Sequence, residues 1–203
     1  MGYIMKLFCH IPFIILLAFS SSGFSEPDTL YHWDFPDPSW TPQGDNWTEY
    51  SDHIEVNLEV VGDGFLPDVK VDALLHDPVE IPSGTDTLQV ILNYQSIHDL
   101  IASYGGDALA SSYTQLLDEE DVIWQDSFMV NSSDSFSCSG PVSLNITGFG
   151  NWFTPSLKGR VWALMYYGYA EAYLHWEVAS LTLIGKGATS LDRDTWAGIK
   201  SCF

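Results

Sequence analysis

The sequence predicts an all-β domain in which two antiparallel sheets close over a dry interior. Apolar and polar residues alternate with period two in several separate segments, and clusters of Gly, Pro, Ser and Asp divide those segments at short intervals. No stretch sustains a long helical pattern.

In chain order, Lys6 introduces an apolar run from Leu7 to Phe19, followed by Ser20-Ser21-Ser22-Gly23 and then acid at Glu26. One positive charge, a short greasy core and a small-residue exit are the marks of a secretory signal peptide over residues 1–25. The run is too short to cross a bilayer as a helix and is broken by His10 and Pro12, so cleavage and no membrane insertion are expected. The aromatics Tyr31, Trp33, Phe35, Trp40 and Trp47 sit among Pro36, Pro38 and Pro42 and read as a segment clamped on the domain.

Ile54, Val56, Leu58 and Val60 then alternate with Glu55, Asn57 and Glu59, as in a strand with one wet face. The same pattern returns in Val69 to Leu75, Leu88 to Tyr94 and Val142 to Ile146. Gly62-Asp63-Gly64, Pro82 to Asp86 and Ser132-Ser133-Asp134 supply the turns. Ile97, Leu100, Ile101 and Tyr104 have helical spacing, but Gly105-Gly106 suits a hairpin and strands are expected on both sides. Arg160 to Tyr169 and the following Ala172, Leu174, Trp176 and Val178 form the richest strand pair, with Trp162 and Trp176 assigned to the core. After Ala179 the apolar parity moves to Leu181 and Leu183, which predicts a β-bulge there. The domain is expected to span 26–185, with 186–203 a tail that carries a short helix around Trp196 and Ile199.

Removing the leader leaves six Lys and Arg against 27 Asp and Glu, a surplus of 21 negative charges. Nucleic acid and anionic membrane surfaces are repelled by such a chain. Cys9 leaves with the leader, so Cys138 and Cys202 form a candidate disulfide in an oxidising compartment, with two unpaired thiols as the alternative. Closing that loop would stabilise the fold by on the order of 4 kcal/mol. Asn46, Asn131 and Asn145 each begin an Asn-x-Ser/Thr acceptor pattern.

Ala73 to Ile81, the strand Leu88 to Tyr94, Gly105 to Leu109 leading to Trp124, and Leu174-His175-Trp176-Glu177-Val178-Ala179-Ser180-Leu181 together resemble secreted jelly-roll modules of the MAM-type and carbohydrate-binding, concanavalin-like kind. That resemblance, over about residues 30–185, implies a two-sheet antiparallel jelly-roll sandwich. Where many such modules carry paired aspartates near a structural calcium, this chain has Ala179 and Ser180. The ending Thr195 to Phe203 is faintly similar to short "W-x-x-I-K-x-x-F" endings of secreted bacterial proteins.

A non-catalytic site for a sugar needs flat aromatic faces with polar groups at the rim. Tyr167, Tyr169, Tyr173, His175 and Glu177 meet that need on the exposed side of a hairpin, with Trp124 joining from a neighbouring strand. The leading expectation is a secreted, extracellular or cell-surface module for a glycan. An adhesion module for an extracellular protein is the alternative. A third reading rests on Glu55 and Glu59, since Glu55-Val56-Asn57-Leu58-Glu59 resembles the "E-x-D-x-E" strand of laminarinase-like retaining glycosidases, with Asn57 in place of an acid. That chemistry needs carboxyl groups about 5–5.5 Å apart, whereas strand positions four apart lie roughly 13 Å from one another. His32, His53, His76, His98 and His175 are scattered without a ligand-like pair, so no zinc is expected. Calcium has weak support from Asp34 with Asp37, Asp63 with Asp68, and Asp118 to Asp121.

Overall fold

A computed structural model of the chain describes residues 28–103 and 108–187. All regular elements there are strands. They are β1 (Asp28–Asp34), β2 (Trp40–Gln43), β3 (Trp47–Glu49), β4 (Ile54–Val61), β5 (Asp68–His76), β6 (Val79–Glu80) and β7 (Thr85–Ala102), then β8 (Ala108–Asp118), β9 (Asp121–Val130), β10 (Asp134–Ser139), β11 (Val142–Thr147), β12 (Trp152–Phe153), β13 (Pro155–Met165) and β14 (Ala170–Gly187).

The two longest strands, β7 and β14, each have 18 residues and pair with one another along their length. Shorter strands flank them end to end. β4 and β1 take successive halves of the free edge of β14, and β10 and β11 take successive halves of β7. With β3 against β4 this makes a seven-stranded sheet. A five-stranded sheet of order β2-β5-β13-β8-β9 packs over it, and every pairing in both is antiparallel. The small β6–β12 ladder is separate.

Alternation places the core between the sheets. Val56, Leu58, Leu174, Trp176 and Val178 face inward from one sheet, and Leu74, Leu116, Leu157 and Val161 from the other. Gly159 faces the opposite sheet: a Cβ there would lie 3.2 Å from Leu174 Cδ2 and 3.3 Å from Leu58 Cδ1, tighter than side chains ordinarily tolerate. The expected bulge is present, as the β14–β7 register shifts between Val178 and Ser180, so that Leu181 and Leu183 turn inward after it. The amino-terminal aromatics are clamped as expected, with Trp33, Phe35 and Trp40 buried and Tyr31 stacked on Trp33.

Three expectations need correction or lie elsewhere. Trp162 shares the parity of Leu164, but that parity faces away from the core, because Val161 and Ala163 are the fully buried residues of β13. The strand expected to run to Tyr169 ends at Met165, and residues 166–169 form the turn into β14. The leader, Gly105-Gly106, Cys202 and the tail helix fall outside the described residues.

One polar seam crosses the interior. His98 is fully buried on β7, with Nδ1 2.6 Å from Ser112 Oγ of the opposite sheet and Nε2 3.0 Å from Ser96 Oγ. Hydroxyls rotate to suit either tautomer, so a neutral ring is satisfied on both nitrogens. Burial lowers its pKa from 6.5 to about 4, against the opposing pull of Asp126 and Asp99. The unfolded chain therefore takes up a proton near pH 6.5 that the folded chain refuses until about pH 4. The contribution of His98 is full above that window, falls as pH descends through it, and levels off below, a loss of about 3 kcal/mol.

Urea unfolding followed across pH 6.5 to 4 is expected to show a shallower loss of stability in His98→Gln than in the native sequence. Trp176, fully buried with its Nε1 unpartnered, should lose about 3–5 kcal/mol on Trp176→Ala and markedly less on Trp176→Phe, measured by the same transition.

Candidate functional site

The outward residues of β4, β14 and β7 form a polar array on the open face of the seven-stranded sheet. Unbulged pairing of β4 with β14 sets Glu55 opposite Glu177, Asn57 opposite His175 and Glu59 opposite Tyr173. On the other edge of β14, Gln95, Ile97 and Asp99 stand opposite Glu177, His175 and Tyr173. The polar faces of two segments far apart in sequence are thus one surface.

Asn57 is its centre. Its Oδ1 accepts from Tyr173 OH at 2.8 Å and lies 2.9 Å from His175 Nδ1, while its Nδ2 donates to Glu55 Oε1. His175 Nε2 lies 2.9 Å from Glu177 Oε1. Both ring nitrogens of His175 thus face acceptor oxygens. Glu55 Oε1 is also 3.6 Å from His175 Nδ1. Burial, followed by the nearby carboxylates Glu55, Asp99 and Glu59, pushes the Tyr173 hydroxyl pKa up and keeps it a donor.

His53 adjoins this array just before β4. Its ring stacks on Tyr50, with centroids 4.6 Å apart, and its Nδ1 lies 2.9 Å from Asp52 Oδ1. A ring atom of His53 and one oxygen each of Glu55 and Glu177 lie within 4.8 Å of one another. Beside them runs an open groove of about 490 Å³ lined by Asp52, His53, Asn93, Gln95, Ser139 and Glu177. A smaller depression of about 220 Å³ follows along His175, Ile97 and Ser137, and one of about 590 Å³ touches Glu59, Asp99, Glu171 and Tyr173.

The described basic residues are few and unevenly placed. Of the described Lys and Arg residues, Lys70, Lys158 and Arg160 lie on the five-stranded sheet, and Lys186 is near the far end of β14. Every ion pair among the described residues uses a histidine.

Of the residues expected to bind ligand, Tyr173, His175 and Glu177 come together, and Glu55 and Glu59 join them. Tyr167 and Tyr169 project from the β13–β14 turn, 74% and 44% exposed, and Tyr169 OH donates to Glu171 at 2.5 Å. Trp124 does not join. It is on β9 of the other sheet, edge-on to Tyr94 at 4.8 Å and packed against the core. Cys138 is partly buried on β10 opposite Ser96; burial raises its thiol pKa, with Asp126 adding to the effect. Among the calcium candidates, Asp37 accepts from Ser39 and Asp118 from the Thr154 amide, so protein donors already engage them. Reading the sequence by segment missed His53 and the central role of Asn57. The signal was a repeated His-x-Glu, at His53-Ile54-Glu55 and His175-Trp176-Glu177.

No family model and no curated protein matches the chain. Among solved structures, the VP2 subviral particle of infectious bursal disease virus is 8% identical with a TM-score of 0.25, and covers 66% of this chain. The structure of the Gx strain of that virus is also 8% identical, with a TM-score of 0.24. This chain spans 37% of the length of each, and likeness at that level carries no inference.

Asn57→Leu is expected to lower stability by roughly 1–3 kcal/mol, because Tyr173 OH and His175 Nδ1 lose their shared acceptor. Tyr173→Phe, which removes one donor alone, should cost about 1 kcal/mol, and chemical denaturation of the two variants checks the order.

Proposed function

We propose that this protein is a secreted, non-catalytic binding module whose ligand is a glycan, and that it is related in fold to the MAM-type and carbohydrate-binding jelly-roll sandwiches. The observation that supports this best is the hydrogen-bonded array of Tyr173, Asn57, His175 and Glu177 on an open sheet face. Sugar hydroxyls both donate and accept, and a mixed row of carboxylate, amide, imidazole and phenol groups suits them. The shallow depressions beside the row are open, as a chain-like ligand requires. Tyr173 offers the aromatic surface within the row, and Tyr167 and Tyr169 extend it at the turn.

The acidic face and the formal net charge of −20 argue against nucleic acid as partner. Hydrolysis through Glu55 and Glu59 is not favoured, since β4 pairs without a bulge and holds positions four apart at roughly 13 Å. A protein partner draws support from the exposed tip where Phe65, Leu66 and Tyr167 are 67%, 80% and 74% accessible.

Immobilised plant, microbial and host glycans are expected to retain the protein, and Tyr173→Ala should weaken retention at least about tenfold while leaving the circular dichroism unchanged. Absence of binding to every class would end the glycan reading. Capture of a basic protein that is lost as salt rises would favour the adhesion alternative.

A further inference from the structure

The two His-x-Glu segments lie side by side on the same sheet face, and the register sets Glu55 and Glu177 directly opposite. Like charges in that position repel, and both carboxylates are partly withdrawn from water, with side chains 14% and 31% exposed. No lysine or arginine makes an ion pair with either among the described residues.

The neighbouring hydrogen bonds leave a consistent set of atoms without partners among the described residues. Asn57 Nδ2 occupies Oε1 of Glu55, and His175 Nε2 occupies Oε1 of Glu177, leaving Oε2 of each. Asp52 occupies Nδ1 of His53, which places the N–H there and leaves a lone pair on Nε2. Tyr50 fixes the plane of that ring by stacking. A carboxylate behind a histidine, and hydrogen bonds behind each ligating carboxylate, are the outer-shell pattern that orients metal ligands.

We propose that His53, Glu55 and Glu177 bind a divalent metal ion of the zinc class, with Asp52, Asn57 and His175 as positioning residues. Ligand atoms around a tetrahedral zinc stand roughly 3.3–3.6 Å apart, given bonds of about 2.0–2.2 Å. The observed 4.8 Å limit closes to that by rotation of two flexible glutamate side chains. One imidazole nitrogen with two carboxylates suits zinc, whereas calcium takes six to eight oxygen ligands, more than this face offers. Three protein ligands leave a position open beside the 490 Å³ groove for water or a ligand oxygen. The assignment goes beyond the glycan reading and does not depend on it.

Zinc chloride titrated calorimetrically into chelator-stripped protein, with no sugar present, tests the site. One saturable event is expected, with a melting temperature that rises with zinc concentration. His53→Ala and Glu177→Gln should abolish it, and Asp52→Asn should weaken it about 10–100-fold. Zinc-induced shifts of the His53 ring resonances in the unmutated protein provide a readout that needs no variant. Absence of saturable binding, undiminished affinity in His53→Ala, a His53 ring that zinc does not perturb, or displacement of zinc by equimolar calcium would each overturn the proposal. Failure to bind glycans would leave it standing.

Discussion

Hydrogen bonding along both edges of β14 is the constraint on which the remaining structure depends. A strand paired on both sides cannot slip by one residue without turning every side chain to the other face. Its inward Leu174, Trp176 and Val178 are fully buried, which locks that register by hydrophobic burial. The outward Tyr173, His175 and Glu177 are then held in line with no further interaction required. Because β4 is pinned in the same way through Val56 and Leu58, the cross-strand pairs Glu55–Glu177 and Asn57–His175 follow from core packing on the opposite side of the sheet. The polar site is in this sense a consequence of the apolar core.

The bulge at Ala179 lets one long strand serve two neighbours. Before it β14 pairs with β4, and after it with β1, whose Trp33 helps cover the core. Without the parity change, Leu181 and Leu183 would face solvent while Ser180 and Thr182 faced the interior. His53 and Glu177 line the groove next to Ala179. A local irregularity thus sets the boundary between the clamped amino-terminal half of the sheet and the open polar half.

Polar groups are treated differently on the two sides of the sheet. Within the sandwich, His98 is enclosed by serine hydroxyls and kept neutral, which suits a low-dielectric interior. On the open face, carboxylates accumulate without lysine or arginine ion pairs among the described residues, and imidazole nitrogens are their neighbours. Such a face repels anions.

The strand segments, the bulge and the aromatic clamp were legible in the sequence, because period-two alternation, its phase change at Ala179 and the proline-spaced tryptophans are local properties. Tyr173, His175 and Glu177 were legible as sharing one face of a strand for the same reason. Trp162 was misplaced because parity says which residues share a face but not which face is covered, and only the position of the second sheet decides that. Trp124 was misplaced because its distance from β14 depends on strand order rather than on sequence spacing. The meeting of Glu55 with Glu177, and of Asn57 with His175, joins residues more than a hundred positions apart. Long-range pairing register alone produces such contacts, since backbone hydrogen bonds between strands carry no mark in either segment until burial of both selects one alignment.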